Sequence, residues 1–219
     1  MAIPLFEMQQ LSLSYSNGFT LDPVDVKLER GILCLISGSS GAGKTTLLKL
    51  MTAELNPDAG RRFFLGQDIT RPDGKKLSWY RRQIGIVRQE LSLLQDRSVL
   101  ENLLFRYAVL GIRLSQHREK PHRLLGKCRL QHRTHALPGE LSAGERRRAE
   151  LACAMVGNPH LIFADEPLAN LDIANKHNIV DLLLELLDMG TSVIMATHDS
   201  WALELPATHK LLLHRGGLQ

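Results

Sequence analysis

Short apolar stretches occur along the whole chain, and their patterns predict two kinds of strand. Residues 5–15 alternate between apolar and polar positions, which predicts a half-buried antiparallel strand. Three other stretches, at 31–37, 161–164 and 192–196, are largely apolar over the length of a strand. A continuous run of this length predicts a strand buried on both faces, as in a parallel sheet. Each run ends at a glycine-rich turn or a polar cluster.

Helical spacing of apolar residues separates these strands. Residues 45–55 follow the first buried strand, and residues 175–189 lie between the other two. The apolar residues of 45–55 predict a buried helix, and those of 175–189 recur at helical spacing. Strands that alternate with helices favour an α/β fold, in which helices cover both faces of a parallel sheet.

The middle of the chain, about 92–155, lacks a convincing strand pattern and is rich in helix-forming residues. Residues 93–110 and 146–156 are predicted to be helices. Pro121 is expected to interrupt a helix between them, because an interior proline removes a backbone hydrogen bond. We therefore expect a helical subdomain in this region.

The subdomain is expected to be an insertion within one domain that spans 1–219. The α/β core then consists of 1–91 and 156–219. A chain of 219 residues is long enough for one well-packed domain with a modest insertion.

Composition places the chain among ordinary globular proteins, with 44% hydrophobic and 23% charged residues. No apolar run approaches the ~20 residues that a membrane-spanning helix needs, and the first residues lack a secretory pattern. Cys34, Cys128 and Cys153 are scattered and form no disulfide framework, so a cytoplasmic location is expected. The net charge of +4 is compatible with phosphate, nucleic acid or an anionic membrane surface, and selects none of them.

A phosphate-binding loop is predicted at 38–45. Its sequence, Gly-Ser-Ser-Gly-Ala-Gly-Lys-Thr, fits the Walker A pattern and lies between a predicted strand and a predicted helix. Glycines let the backbone curve around phosphate oxygens, and the N-terminus of the helix favours the same anion. Lys44 is expected to reach the β- and γ-phosphates of ATP, and the Thr45 hydroxyl to ligate Mg²⁺.

Two acidic residues follow the second buried strand. Asp165 is the candidate that anchors Mg²⁺, and Glu166 is the candidate that accepts a proton from the attacking water or positions it. An Asp-Glu-Pro sequence after a strand is by itself more often a simple turn. Together with the Walker A loop, it predicts an ATPase.

With these elements, the chain resembles the ABC (ATP-binding cassette) ATPase family over essentially its whole length. Residues 141–145, Leu-Ser-Ala-Gly-Glu, are similar to the family's signature motif. Gln89 lies where the Q-loop glutamine is expected, residues 170–172 resemble the D-loop, and His198 follows a strand as the switch histidine does. Tyr15 is similar to the aromatic residue that stacks on adenine, although it also fits a core position of an edge strand.

The resemblance implies a fold and a set of site residues. The implied fold is a P-loop NTPase (RecA-like) parallel-sheet core with an antiparallel β subdomain and an inserted α-helical subdomain. The implied catalytic residues are Glu166, His198 and Lys44. The implied ATP-binding residues are Tyr15, Gly38, Ser39, Ser40, Gly41, Ala42, Gly43, Lys44, Thr45, Thr46 and Gln89. The implied contacts to a second copy's ATP are Leu141, Ser142, Ala143, Gly144 and Glu145, with Asp172 in the D-loop. The implied metal site comprises Thr45, Gln89 and Asp165.

The resemblance also implies partners. Two copies are expected to hold two ATP molecules, each between one Walker A loop and the opposing signature, so that ATP closes the homodimer and hydrolysis opens it. Stretches such as 38–50, 81–89 and 93–103 are similar to the FtsE subfamily of cell-division ATPases. This likeness implies an FtsX-like integral-membrane partner, a location on the cytoplasmic side of the inner membrane and no stable nucleic-acid binding. LolD- and MacB-like ATPases for lipoprotein release or export are the alternative.

Two departures from the family pattern bear on function. Ala143 stands where the signature usually has glycine, and its methyl group is expected to crowd the opposing phosphate. Residues 117–135 are rich in histidine and arginine, and form either a solvated surface or a site for an acidic segment of the membrane partner. A soluble ABC protein that acts on nucleic acid, and a regulator with little turnover, remain open. His132 and His135 lack further ligands at suitable spacing, so no metal is expected there.

Overall fold

Helices and strands alternate along the chain, as the apolar pattern predicts. The computed structural model describes residues 3–16, 18–90, 92–114 and 119–218. The helices are α1 (Lys44–Met51), α2 (Gly74–Gln83), α3 (Val99–Val109), α4 (Lys120–Lys127), α5 (Ala143–Met155) and α6 (Ile173–Asp188). The strands are β1 (Phe6–Ser14), β2 (Thr20–Leu28), β3 (Leu33–Ser37), β4 (Ala59–Phe64), β5 (Gln67–Asp68), β6 (Ile84–Val87), β7 (Leu161–Asp165), β8 (Ser192–Thr197), β9 (His209–His214) and β10 (Gly217–Leu218).

The strands form two sheets. The larger sheet has the order β10-β9-β3-β8-β7-β6, in which the pairs from β9 to β6 are parallel and β10 pairs antiparallel with β9. The smaller sheet is antiparallel and has the order β2-β1-β4-β5. This arrangement confirms the predicted fold class, a parallel-sheet core with an antiparallel β subdomain.

Alternate residues of the central strands enter two separate hydrophobic cores. In β7, Ile162 and Ala164 pack into the core shared with α3, α5 and α6. Leu161 and Phe163 point the other way, into the core shared with α1 and the antiparallel sheet. All four side chains are at most 1% exposed. The continuous apolar runs therefore reflect burial on both faces, as expected.

The predicted start of α3 and the predicted interruption of a helix at Pro121 are both wrong. Helix α3 begins six residues later than predicted because Ser98 caps it: the Ser98 hydroxyl accepts from the Glu101 amide at 3.3 Å, and the Glu101 carboxylate accepts from the Ser98 amide at 2.8 Å. Pro121 does not interrupt a helix. It lies in the first turn of α4, where backbone amides have no intrahelical acceptor. The missing N–H of proline therefore costs no hydrogen bond there.

Three further predictions concern membrane-spanning helices, strands in the middle of the chain and the cysteines. No helix in the described part of the chain is long and apolar enough to cross a bilayer. Within 92–155, the described residues form helices and no strand, while the division into core and subdomain stays a prediction. Cys34, Cys128 and Cys153 are free thiols, and burial raises the pKa of each to about 12, so they are protonated at neutral pH.

Arg62, on β4, is fully buried at 0% exposure and lies between the end of α1 and the segment that follows β5. Its guanidinium donates to backbone carbonyls: to Ile69 at 2.7 Å, Leu55 at 2.8 Å, Thr70 at 2.9 Å, and Leu50. Burial lowers its pKa to about 10, so it stays charged at neutral pH. A guanidinium that satisfies four carbonyls joins the end of α1 to the antiparallel sheet.

Replacing Arg62 with methionine is expected to lower the free energy of unfolding by about 3 kcal/mol, because several buried carbonyl groups lose their donor. The neighbouring Arg61→Met change is the matched control. Arg61 forms an exposed ion pair with Asp68, which contributes under about 1 kcal/mol. Urea denaturation of both variants measures the difference, and equal losses would contradict the role assigned to Arg62.

Candidate functional site

The candidate site residues meet at the carboxyl edge of the parallel sheet. Strand β3 leads into the loop 38–43, β7 ends at Asp165, His198 follows β8, and Gln89 follows β6. Because β3, β8, β7 and β6 are parallel neighbours, their carboxyl ends lie side by side. A cleft of about 410 Å³ lies over this edge. It is lined by Tyr15, Phe19, Ser40, Gly41, Gly43, Lys44, Thr45, Thr46, Gln89, Glu166 and His198.

The loop before α1 turns sharply and presents backbone amides. Gly43, the N-cap of α1, has a φ of 107°, and a Cβ there would lie 2.6 Å from the Phe19 ring, so only glycine fits. The first intrahelical bond joins the Leu47 amide to the Gly43 carbonyl at 2.8 Å. The amides of Lys44, Thr45 and Thr46 therefore precede the helical ladder, at the helix N-terminus where an anion is favoured.

Lys44 is held in the cleft by its own loop. Its side chain is buried, and Nζ donates to the carbonyls of Gly38 at 2.7 Å and Ser39 at 3.2 Å. The same Nζ lies 3.8 Å from Oε1 of Glu166. The structure thus places a fixed positive charge between the phosphate loop and the acidic residue that follows β7.

Glu166 and His198 form a pair on the opposite wall. Glu166 has a left-handed φ of 47°, uncommon for this residue type, and its side chain is 7% exposed. His198 Nδ1 lies 2.7 Å from Glu166 Oε1, and the His198 amide donates to Oε2 at 3.4 Å. A carboxylate buried beside a cation and an imidazole can accept a proton, and the imidazole keeps the carboxylate oriented.

Asp165 offers an oxygen that suits a metal ion. Its Oδ1 is buried and has no hydrogen-bond partner among the described residues. Burial raises the pKa of Asp165, and the neighbouring Thr45 hydroxyl offsets only part of this rise. Thr45, Gln89 and Asp165 together line a pocket that adjoins the cleft. A hydroxyl, an amide and an unsatisfied carboxylate oxygen fit the oxygen ligands that Mg²⁺ prefers.

Two aromatic rings stand at the mouth of the cleft. Tyr15 is 37% exposed, and its ring centroid lies 6.2 Å from that of Phe19. Both rings line the cleft, so Tyr15 is not a core residue of an edge strand. The sequence reasoning missed Phe19, although two aromatics in the turn between β1 and β2 are a usable signal. Their faces can stack on a planar base.

The signature residues lie apart from this cleft in the described part of the chain. Ser142 caps α5: its hydroxyl accepts from the Glu145 amide at 3.2 Å, and its own amide donates to the Glu145 carboxylate at 2.8 Å. The Ser142 amide and the Arg133 guanidinium hold the pKa of Glu145 at about 2. Ser142 and Ala143 are exposed. The cap therefore presents a helix N-terminus outward, three residues before the predicted start.

The D-loop aspartate plays the same capping role for α6. Asp172 is its N-cap, and Oδ1 accepts from the Asn175 amide at 2.8 Å. Asp172 is exposed and lies outside the cleft, like the signature. Both motifs are therefore positioned to contact another molecule and not the cleft of their own copy.

The segment that carries Gln89 is tied to the signature helix. Arg147 donates to the carbonyls of Arg88 at 2.6 Å and Gln89 at 3.3 Å, and pairs with Glu150 at 2.8 Å. The Glu150 carboxylate accepts from the Ser92 amide at 2.6 Å. The resemblance implies that Gln89 couples the metal site to the helical subdomain, but the sequence reasoning did not single out Arg147 or Glu150, because charged residues three apart on a helix are usually solvated. This link connects the backbone at Gln89 directly to α5.

Comparisons with known proteins agree with this geometry. A family model described as ABC transporter matches residues 21–169. The cell division ATP-binding protein FtsE of Haemophilus influenzae is 36% identical over 199 residues, which cover 91% of each chain. The protein of the same name from Bacillus subtilis is 33% identical over 89% of this chain and 86% of its own.

Solved structures show the same fold. The cbiO1 subunit from Clostridium perfringens, part of an ABC transporter complex, superposes with a TM-score of 0.89 at 27% identity, covering 99% of this chain and 87% of that one. A dimeric ATP-binding cassette in a post-hydrolysis state, bound to ADP and Pi, gives 0.87 at 26% identity, covering 98% and 96%. With a phosphate loop, a buried acid pair and an outward-facing signature in the family's order, this chain belongs to the ABC family as an ATP-hydrolysing, nucleotide-binding subunit.

Proposed function

We propose that two copies of this chain close on two ATP molecules and transmit the motion to an integral-membrane partner, in a complex of the FtsE type. The observation that carries the proposal is the division of the site between two surfaces. The cleft holds Lys44 beside Glu166, whereas the capped signature exposes Ser142 and Ala143 elsewhere. Each copy therefore offers two half-sites, which a two-fold dimer completes.

Within the cleft, this chain's own residues bind and orient the nucleotide. The loop amides and Lys44 hold the β- and γ-phosphates, and Tyr15 stacks on the adenine. Thr45, Asp165 and Gln89 would hold Mg²⁺, which would supply charge neutralisation at the phosphates. Residues 38–43 form the rest of the cradle.

Hydrolysis is assigned to the acidic wall of the cleft. Glu166 accepts a proton from the attacking water, and Lys44 stabilises charge on the γ-phosphate. His198, hydrogen-bonded to Glu166 through Nδ1, keeps the carboxylate in place and lines the cleft that receives the phosphate. These roles follow from the contact of all three groups around one opening.

The signature is proposed to act on the second copy's ATP. Ser142, Ala143 and Gly144 begin α5, so their hydroxyl and amides lie at the positive end of a helix dipole. Leu141 is buried below them, and Glu145 is used internally by the cap. Closure thus depends on phosphate charge, and loss of the γ-phosphate reopens the dimer.

A groove between the sheet and the helical region suits the membrane partner. It has a volume of about 270 Å³ and is lined in part by Arg88, Ser92, Phe105, Val109 and Glu150. Phe105 is 44% exposed and Val109 58% exposed, and the Arg147 link ties the groove floor to the nucleotide site. We place an FtsX-like membrane protein here, which holds the chain at the cytoplasmic face of the inner membrane.

The basic segment 117–135 supports a nucleic-acid partner less well than it supports a membrane partner. Arg123 pairs with Glu119 at 3.0 Å, Arg133 pairs with Glu145 at 2.9 Å, and Arg129 bonds to Asn178. His117 and Arg118 lie outside the described residues. Three of the arginines thus have intramolecular partners, which favours the membrane complex over a soluble protein that acts on nucleic acid.

Capture from detergent-solubilised membranes tests the partner. The tagged chain is expected to retain an integral-membrane protein, and Phe105→Asp to lose it, because a carboxylate cannot be buried in an apolar contact. Ile3→Asp is the control, since Ile3 is 65% exposed and lies on the antiparallel subdomain. The captured protein's identity separates division from lipoprotein release or export. Undiminished capture by Phe105→Asp, or capture of RNA alone, would contradict the proposal.

A further inference from the structure

Gly144 in the signature is buried against a side chain of α6. A Cβ built on Gly144 would lie 1.9 Å from Oδ1 and 2.3 Å from Cγ of Asn175. Both distances are far below van der Waals contact, so Asn175 occupies the space that any side chain at position 144 needs. The next residue toward the N-terminus, Ala143, is exposed and carries its methyl group without conflict. The two signature positions therefore differ in what surrounds them.

Asn175 is fixed in this place by hydrogen bonds on both ends of its amide. Nδ2 donates to Asp172 Oδ2 at 2.8 Å, and the Asn175 backbone amide donates to Asp172 Oδ1 at 2.8 Å. On the other end, Oδ1 accepts from Arg148 of α5 at 3.2 Å. Arg148 is itself buried, at 8% exposure. The amide cannot move away from Gly144 without breaking contacts to both helices.

These contacts join two motifs that begin neighbouring helices. The signature starts α5 and the D-loop residue Asp172 caps α6, so Asn175 sets the distance between two capped N-termini. Both N-termini lie outside this copy's cleft. A glycine at 144 is then required by the packing of one chain, independently of any approach by a phosphate.

We propose that Asn175 is a positioning residue, which packs over Gly144 and holds the signature and the D-loop in the single arrangement that receives the second copy's ATP. The proposal rests on the proposed dimer function. It also explains why alanine fits at 143 whereas only glycine fits at 144. Replacing Gly144 with alanine acts by displacing Asn175, and therefore has little effect once Asn175 has been shortened.

A double-mutant cycle of Gly144→Ala and Asn175→Ala tests this dependence, measured in the slowly hydrolysing Glu166→Gln protein by sedimentation with Mg–ATP. Each single change is expected to weaken ATP-dependent dimerisation by about tenfold, and the double variant to match Asn175→Ala within about twofold. Binding of fluorescent ATP to the monomer's own cleft is expected to stay within about twofold for Asn175→Ala, because the residue lies outside that cleft. Ala143→Gly serves as control and is expected to have the same effect in both backgrounds.

Two results would overturn the proposal. If Gly144→Ala weakened dimerisation by the same factor in both backgrounds, the glycine would serve the approach of the phosphate and not the packing of Asn175. If Asn175→Ala weakened monomer ATP binding as much as dimerisation, its role would be general folding. Failure of the Glu166→Gln protein itself to dimerise would count against the dimer function. The same cycle on urea unfolding of the ATP-free chain then still decides the contact, since additive losses there contradict it.

Discussion

Glu166→Gln is expected to lower the rate of ATP hydrolysis by about a thousandfold while leaving ATP binding intact. The glutamine amide keeps the shape of the side chain and the contact to His198, but it cannot accept a proton from water. The carboxylate also lies 3.8 Å from Lys44, so its neutralisation removes negative charge near the γ-phosphate site. ATP should therefore bind as well or better, and the closed dimer should accumulate.

The control is Glu185→Gln, an exposed carboxylate of α6 that lies outside the cleft. Phosphate release should be measured with the membrane partner present, because such subunits can be slow alone. Hydrolysis by Glu166→Gln at the unmodified rate would remove Glu166 from the reaction. The proton acceptor would then be His198 or a chain of hydrogen-bonded water molecules.

Lys44→Ala is expected to weaken ATP binding by about a thousandfold, since loss of one partner of a buried charged hydrogen bond costs several kcal/mol. Lys44 is 7% exposed and its ammonium is already fixed by the carbonyls of Gly38 and Ser39, so its attraction to phosphate is little screened by water. Its removal also leaves Glu166 without its nearest cation, which raises the cost of binding an anion beside it.

Lys75→Ala is the matched change, because Lys75 is an exposed lysine on α2 outside the cleft. Calorimetric titration with Mg–ATP should show near-equal affinities for Lys75→Ala and the unmodified chain. Comparable affinity of Lys44→Ala and Lys75→Ala would place the phosphates away from the loop 38–45.

The parts of the fold that could be predicted from sequence are those with a local cause. Strands β3, β7 and β8 are buried on both faces, so their sequences are continuously apolar. The loop 38–45 is recognisable because phosphate binding requires glycines and a lysine at fixed spacing. The acid pair and His198 follow buried strands, and parallel strands bring such residues to one edge.

Other parts depend on contacts between distant segments, which no local pattern records. Strand β2 contains Pro23, which argues against a strand, yet β2 lies at the edge of its sheet, where a missing amide is tolerated. Arg62 appears in sequence as an ordinary charged residue, although in the structure it is the largest of the fully buried side chains. The Gly144–Asn175 contact joins two helices, and the sequence of neither helix contains a pattern that predicts this packing.

The fullest test of the mechanism is an experimental structure of the Glu166→Gln protein with Mg–ATP. We expect a two-fold dimer in which each γ-phosphate lies between Lys44 of one copy and Ser142 of the other. A nucleotide bound in the cleft of a single copy, with residues 142–145 facing solvent and no second molecule across it, would contradict the account. So would a nucleotide held anywhere other than the loop 38–45.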